Sequence, residues 1–87
     1  MTKQILLSTP AQKQFGKLDN EMKKRMKNAL HKLAESGTGD VKKLKGIKGG
    51  MDLYRLRVGD YRIVYSLDSD AIHISQIFHR GKGYDWL

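Results

Sequence analysis

The clearest pattern in the chain is an alternation of apolar and charged residues between positions 53 and 65. β-Branched and aromatic residues recur at every second position on both sides of Gly59-Asp60, which predicts two strands joined by a tight turn. A glycine in the first loop position is typical of a two-residue type II′ turn. Counting outward from that turn places Arg57 opposite Arg62 and Arg55 opposite Val64. One face of the hairpin should therefore be apolar, and the other, the arginine face, should carry Arg55, Arg57 and Arg62.

The facing arginines indicate a role beyond stability. Like charges directly opposite each other destabilise a sheet by a few tenths of a kcal/mol up to about 1 kcal/mol. Taken singly, each arginine is better explained as part of a solvated face, paired with acidic groups elsewhere. Taken together, the three arginines favour a site for a polyanion.

Two amphipathic helices are predicted ahead of the hairpin, after a short strand at residues 4–8. The Ser-Thr-Pro sequence that follows this strand supplies capping side chains and a first-turn proline. Asp19 and Gly37 are suited to begin and end a second helix over residues 20–36. The apolar stripes are Ala11, Phe15 and Leu18 in the first helix, and Met22, Met26, Ala29, Leu30 and Leu33 in the second.

Between the second helix and the hairpin, residues 37–50 are rich in glycine and lysine. This composition predicts an exposed basic loop. Glycine amides can hold a phosphate, but neither the spacing nor the strand–loop–helix context of a P-loop is present. The candidate contacts to a nucleic-acid backbone in this loop are Lys43, Lys45 and Lys48.

After a further turn, residues 71–78 are predicted to form a third strand of the same sheet. If the loop before this strand has an even number of residues, the isoleucines Ile72 and Ile74 of the strand are buried. Their burial favours that register. The residues that this register places on the apolar face are Ile72, Ile74 and Phe78. Those that it places with the arginines are His73, Ser75, Ile77 and His79. Arg80 has the opposite parity and joins the arginine face only if a bulge or bend interrupts the strand.

Length and composition indicate one domain over residues 1–87. The absence of cysteine excludes a disulfide framework and a thiolate nucleophile. No apolar run approaches the ~20 residues that span a bilayer. The N-terminal apolar stretch is also too short for a signal peptide. We therefore expect a soluble cytoplasmic protein that has no membrane contact.

The charge distribution points to an acidic partner. Lys and Arg number 17 against 9 Asp and Glu, which gives a net charge of +8. The whole excess lies in residues 1–50, where almost all cations are lysines, whereas most arginines lie in residues 51–87. Lysine is a mobile point charge, and arginine is a rigid fork that matches phosphate. The pattern predicts a lysine-rich surface that attracts a polyanion and an arginine pocket that holds part of it.

The motif at residues 54–65, Tyr-Arg-Leu-Arg-Val-Gly-Asp-Tyr-Arg-Ile-Val-Tyr, followed by His79-Arg80 and then Tyr84, resembles the RelE branch of the RelE/ParE toxin superfamily. The resemblance implies an α+β fold. This fold has an N-terminal strand, then a helical hairpin, then a three-stranded antiparallel meander. The strands form one twisted sheet, which packs on the helices. It also implies a type II toxin that cuts mRNA in the ribosomal A site, beside ribosomal RNA, without metal or cofactor. A cognate antitoxin with an acidic or amphipathic segment would neutralise it.

The same resemblance assigns roles to individual residues. Arg55 and Arg57 stand where RelE-type toxins carry basic residues that contact phosphate, although some members have lysine there. The positions that match catalytic residues are Arg62, Arg80, Tyr84 and His79. Arg62 would hold the scissile phosphate, while the roles of acid, base and transition-state stabiliser stay open among the other three. A structural role for His79 and an anchoring role for Tyr84 are the alternatives.

Two other functions fit the same sequence. A ParE-like toxin would share the fold but inhibit DNA gyrase and cleave nothing. A passive nucleic-acid-binding module would use the same basic faces. Cleavage of a ribosome-bound message, inhibition of supercoiling, or binding without either effect distinguishes the three.

Overall fold

The computed structural model describes residues 2–44 and 52–80, which form two helices and five strands. The helices are α1 (Thr9–Gly16) and α2 (Asn20–Ser36). The strands are β1 (Gln4–Leu7), β2 (Asp40–Lys43), β3 (Tyr54–Val58), β4 (Tyr61–Leu67) and β5 (Ala71–His79). They make one sheet in the order β1-β5-β4-β3-β2, in which β1 is parallel to β5 and all other neighbours are antiparallel. The predicted α+β class is confirmed.

Both helices begin at side chains that accept hydrogen bonds from free backbone N–H groups. Ser8 Oγ accepts from Ala11 N–H at 3.1 Å, and Asp19 Oδ1 accepts from Met22 N–H at 2.8 Å. The second helix ends at Gly37, whose φ of 72° lies in the left-handed region that favours glycine. The helices therefore begin where the sequence predicts them, but α1 ends at Gly16, so Leu18 of its predicted stripe lies beyond it. Neither is long and apolar enough to cross a membrane, within the part of the chain that the structure describes.

Removing the cap of α2 is expected to destabilise the protein modestly. Asp19→Ala should lower the free energy of unfolding by about 1 kcal/mol, because Met22 N–H loses its acceptor. Urea denaturation measures the change. Asp19→Asn keeps an acceptor oxygen and should retain most of the stability. An equal loss in both variants would contradict the capping explanation.

The helices cover one face of the sheet. Their largest buried contribution comes from α2, where Met26 is fully buried and Leu30 and Leu33 are almost so. The sheet residues of the same core are Leu56, Val58, Ile63, Tyr65, Ile72, Ile74 and Ile77. Each fully buried side chain of this size stabilises the fold by about 1.5–3 kcal/mol. The predicted apolar face of the hairpin is thus the helix side of the sheet, and the arginine face is the opposite side.

The sequence does not predict β2. The composition of residues 37–50 predicts a basic loop, yet Asp40–Lys43 pair antiparallel with β3. All four residues of β2 are exposed, so the apolar alternation that marks a half-buried strand is missing. An edge strand of this kind forms through main-chain hydrogen bonds, which do not depend on side-chain type.

A bulge in β5 changes the faces of its last residues. Tyr65 lies opposite Ile74, but Val64 lies opposite Gln76, so Ser75 is an extra residue. From Gln76 onward every side chain is on the face opposite to the one predicted for a straight strand. Ile77 therefore joins the core and is 2% exposed. The prediction that Phe78 is a core residue is wrong, because it lies opposite Arg62.

Helix α1 holds this bulge in place. The strand β1 ends at Leu7, opposite Ile74, and α1 then runs beside the unpaired part of β5. Ser8 Oγ donates to Ser75 O at 2.7 Å, and Gln14 Oε1 accepts from Ile77 N–H at 2.7 Å. Gln14 therefore takes the place of a neighbouring strand at the bulge.

The turn between β4 and β5 is organised by Asp68. Its Oδ1 accepts from the N–H groups of Asp70 and Ala71 at 2.8 and 2.7 Å, and its Oδ2 lies 2.7 Å from His73 Nε2. The hydrogen bond to His73, together with the two backbone hydrogen bonds, lowers the pKa of Asp68 to about 2. The ionised carboxylate is thus the form that the fold favours.

This lowered pKa predicts a loss of stability in acid. Because the pKa of folded Asp68 lies below its ordinary value of 3.8, the ionised group stabilises the fold above about pH 4. The contribution disappears as the pH falls toward about 2. Urea denaturation across this range should show a steeper loss for the wild type than for Asp68→Asn. Parallel pH profiles would contradict the assignment.

Candidate nucleic-acid interface

The β3–β4 hairpin forms with the predicted turn and register. Gly59 has a φ of 59°, and no other residue of the turn has a positive φ, as a type II′ turn requires. Arg57 lies opposite Arg62, and Arg55 lies opposite Val64. The intervening residues Leu56 and Ile63 are buried on the helix side, so burial of their side chains fixes the arginines on the opposite face.

Arg55 is held in a partly buried position on this face. Its side chain is 15% exposed, and its Nη2 lies 3.7 Å from Asp40 Oδ1. Its buried Nε has no hydrogen-bond partner among the residues that the structure describes. Val64, opposite it in the sheet, is fully buried. A charged donor that is buried and unsatisfied is costly to the fold. The part of Arg55 that remains accessible to an anion is the exposed 15% of its side chain.

Arg57 and Arg62 face each other across β3 and β4, and the neighbour of Arg57 on its other side is Asp40 of β2. In residues 2–44 and 52–80, neither guanidinium forms an ion pair with a carboxylate. Arg62 Nη1 makes a long hydrogen bond, 3.3 Å, to the carbonyl oxygen of Tyr61. Two facing cations without a carboxylate partner are an arrangement that suits a phosphate.

The strand β2 adds a lysine that the sequence did not single out. Lys42 lies opposite Arg55 and is on the arginine face. Lys43, the predicted contact, lies opposite Tyr54 on the helix side and pairs with Asp52 at 3.2 Å. The prediction that Lys43 lies in a basic loop is therefore wrong. No pattern in the sequence could have distinguished the two lysines, because β2 has no apolar alternation.

The bulge in β5 reverses the parity of the two predicted catalytic residues that follow it, His79 and Arg80. Arg80 follows Phe78 at the spacing that returns to the arginine face, and its N–H donates to Asp60 O at 2.7 Å. Its Nη1 is 4.0 Å from Asp60 Oδ1, and both side chains are more than half exposed. Arg80 therefore lies at the turn end of the hairpin, one residue beyond the end of β5. The condition stated for Arg80, a bulge in the strand, is met.

His79 lies on the other side of the sheet. It pairs with Tyr61, and the two rings meet edge to face with centroids 5.2 Å apart. Tyr61 packs against the core on the helix side. The prediction that His79 shares the face of Arg62 is therefore wrong, and its position favours the structural alternative.

Comparison with known proteins identifies the family. The chain matches the family model of the ParE toxin of type II toxin–antitoxin systems, parDE, over residues 5–84. It is 31% identical over 85 residues to the toxin RelE3 of Methanocaldococcus jannaschii, covering 95% of this chain and 97% of that toxin. The chain belongs to the RelE/ParE toxin superfamily. Its similarity to RelE3 places it in the RelE-like branch, as a toxin of a type II toxin–antitoxin system.

Solved structures of RelE-like toxins have the same fold. The RelE–RelB complex from Pyrococcus horikoshii OT3 is 30% identical with a TM-score of 0.78, covering 95% of this chain and 100% of that chain. The RelB–RelE antitoxin–toxin complex from Methanococcus jannaschii is 28% identical with a TM-score of 0.69, covering 94% and 98%. The RelE-like architecture predicted from the hairpin motif is therefore confirmed.

Three predicted site residues of this RelE-like toxin lie outside the described residues: Lys45, Lys48 and Tyr84. Their assigned roles stay predictions. Another tyrosine, Tyr65, is not an alternative base. Burial, and then the neighbouring Tyr54, raises the pKa of Tyr65 to about 12, and its ring stacks on that of Tyr54 at 5.5 Å on the helix side. Among the described residues, no three His, Asp or Glu side chains are grouped as metal ligands.

Proposed function

We propose that this RelE-like toxin is a ribosome-dependent endoribonuclease, which cleaves mRNA by attack of a 2′-hydroxyl without a metal ion. The observation that carries the proposal is the group of cations on the arginine face, in which Arg57 and Arg62 have no described carboxylate partner. The bulge in β5 and the contact of Arg80 with Asp60 at the hairpin turn support it. The RelE-like relatives support the coarser class, a toxin of a type II toxin–antitoxin system.

The chemistry uses the RNA itself as nucleophile. The 2′-oxygen attacks the adjacent phosphorus and loses its proton, and the bond from phosphorus to the 5′-oxygen breaks. The 5′-oxygen takes up a proton, which leaves a cyclic phosphate and a 5′-hydroxyl. Because the nucleophile is intramolecular, the protein has to orient the reacting atoms and stabilise charge on the phosphorane.

The arginines divide this work by position. Arg62, on the central strand β4, would hold the non-bridging oxygens of the scissile phosphate, with Arg57 facing it. Arg55 would hold a neighbouring phosphate through the exposed part of its side chain. Arg80 lies at the turn, where its long contact to Asp60 leaves it able to exchange to a developing oxyanion or leaving oxygen. Tyr84 stays a candidate for the base, or for stacking on a nucleobase.

The partners follow from charge and relatives. Both solved RelE relatives named above are complexes with a RelB antitoxin. We infer a cognate antitoxin for this chain, with an acidic or amphipathic segment that covers the arginine face. The lysine excess of residues 1–50 suits contact with ribosomal RNA, and ribosomes place the activity in the cytoplasm.

The test uses ribosomes programmed with a defined message. Primer extension should show cuts within the A-site codon when the purified protein is added. A message with one 2′-deoxynucleotide at the attacking position is the matched control, and it should not be cut at that site because its nucleophile is missing. Cutting of the deoxy message at the same bond would overturn the mechanism.

Inhibition of DNA gyrase is the second candidate, because the matching family model describes ParE toxins. A supercoiling assay with purified gyrase tests it in parallel. Inhibited supercoiling together with an intact message would replace the nuclease proposal. An intact message without inhibition would leave binding to nucleic acid as the function of the arginine face.

A further inference from the structure

A second group of cations lines a groove between α2 and the edge of the sheet. The groove has a volume of about 480 Å³. Arg25, Asn28 and Lys32 line it from α2, and their spacing of three and four residues places them on one face of that helix. Arg57 and Thr38 line it from the sheet side. We call this feature the α2 groove.

Arg25 is positioned at the groove by the hairpin turn. A Cβ atom at Gly59 would lie 3.3 Å from both terminal nitrogens of the Arg25 guanidinium. The turn glycine therefore permits a close approach between the guanidinium and the hairpin. This contact places a charged fork beside the tip of the hairpin that carries the arginine face.

The α2 groove is positively charged and largely unpaired. Asp40 is the carboxylate that lines it, and its recorded ion pair is with Arg55. Within the described ranges, Arg25, Lys32 and Arg57 form no ion pair. Like charges in a concave surface reinforce one another and raise the local concentration of anions.

Arg57 connects this groove to the arginine face. The pairing of β2 with β3 extends from Tyr54 to Arg57, where Asp40 is the partner, so Val58 is at the edge of the sheet. Arg57 thus belongs to the arginine face by register and also lines the groove around that edge. Asp40 lies opposite Arg57 and also lines the groove, so an anionic chain that passes between the two surfaces runs beside this carboxylate, whose ion pair is with Arg55.

We propose that the α2 groove binds the sugar–phosphate backbone of the RNA strand whose neighbouring phosphate is held on the arginine face. The proposal rests on the proposed function for the identity of the strand. The donors present are a guanidinium, an ammonium, an amide and a hydroxyl, all of which can donate to phosphate oxygens. The continuity through Arg57 favours one RNA chain over an acidic peptide bound separately in the groove.

The test compares a long and a short strand that cannot be cleaved. Both are single-stranded RNA with 2′-O-methyl groups throughout, of about twelve and about three nucleotides. Fluorescence anisotropy over a salt series measures binding to the full-length protein. The variant with Arg25→Gln and Lys32→Gln should bind the long strand about tenfold more weakly, and its log–log salt slope should fall in magnitude by about 1.4, for two lost phosphate contacts. Binding of the short strand should not change.

Lys24→Gln is the matched control for Arg25→Gln alone, because it removes one charge from α2 at an exposed position that does not line the groove. It should reduce binding of the long strand by less than twofold. Arg25→Lys retains the charge and should recover part of the affinity, which excludes misfolding as the cause. Equal weakening by Lys24→Gln and Arg25→Gln would overturn the inference, and so would a wild-type protein that does not bind the long strand.

An acidic peptide distinguishes the rival occupant. If the variant with Arg25→Gln and Lys32→Gln binds oligoglutamate more weakly than the wild type but binds the long RNA equally well, the groove is a peptide site and the inference fails. Failure of the proposed function has a separate signature. If the protein cleaves no ribosome-bound message but its binding of the long strand depends on Arg25, the nuclease proposal alone fails.

Discussion

Replacing Arg62 with alanine is expected to reduce cleavage of a ribosome-bound message by about 10²–10³-fold, the usual loss when one donor to a developing oxyanion is removed. Arg62 lies on the central strand of the sheet, where its backbone is fixed on both sides by β3 and β5. A guanidinium held on a rigid strand is oriented before the RNA arrives. Single-turnover rates from primer extension measure the loss.

The same substitution should not destabilise the fold. Arg62 faces Arg57 across the strands, so removing one of two facing like charges relieves repulsion of up to about 1 kcal/mol. We therefore expect urea denaturation to show equal or higher stability for Arg62→Ala. Lost cleavage with retained stability separates a role in catalysis from a role in folding.

Two controls sharpen this experiment. Arg62→Lys keeps the charge but loses the bidentate fork, and we expect a rate between those of the wild type and Arg62→Ala. Lys13→Ala removes a cation from the exposed surface of α1 and should cleave at a nearly normal rate. Cleavage by Arg62→Ala at the wild-type rate would remove Arg62 from the mechanism.

The local parts of this fold could be predicted from the sequence because neighbouring residues determine them. The register of the β3–β4 hairpin depends on a turn glycine and on the burial of alternate side chains, both visible within a dozen residues. The capping residues Ser8 and Asp19 are similarly adjacent to the helices that they begin. The arginine face followed from this local information.

The faces of His79 and Arg80 could not be predicted, because a distant contact decides them. The bulge at Ser75 depends on Ser8 and Gln14, more than sixty positions earlier in the chain. The sequence of residues 71–79 does not mark the extra residue. Ile74 fits the register before the bulge and Ile77 fits the register after it, and neither residue shows where one register gives way to the other. One inserted residue moved His79 to the helix side and Phe78 to the position opposite Arg62.

The strand β2 was missed for a different reason. Its sequence, Asp-Val-Lys-Lys, has the polarity of a loop, and its pairing with β3 is made by the main chain. Side-chain patterning carries information about burial, and an edge strand without burial leaves no such pattern. Because of this omission, the sequence could not show that Lys42 lies on the arginine face and Lys43 on the helix side.

Substitution of Gln14 by leucine is expected to have the second large effect, on both stability and cleavage. Leucine fills a similar volume but leaves the part-buried Ile77 N–H without an acceptor and the Gln76 side chain without its 2.8 Å donor. We expect the free energy of unfolding to fall by about 1–3 kcal/mol. We also expect cleavage to fall by about 10–10²-fold at a temperature where the variant is folded, since a relaxed bulge displaces Arg80 from the arginine face.

Two measurements separate the local effect from general unfolding. Amide hydrogen exchange should show faster exchange at Ile77, while the amides of Leu56 and Ile63 in the hairpin retain their protection. Gln14→Glu keeps the acceptor for Ile77 N–H and should lose less stability than Gln14→Leu. If Gln14→Leu unfolds and cleaves like the wild type, the bulge is maintained by β5 itself, and the link from α1 to the position of Arg80 does not exist.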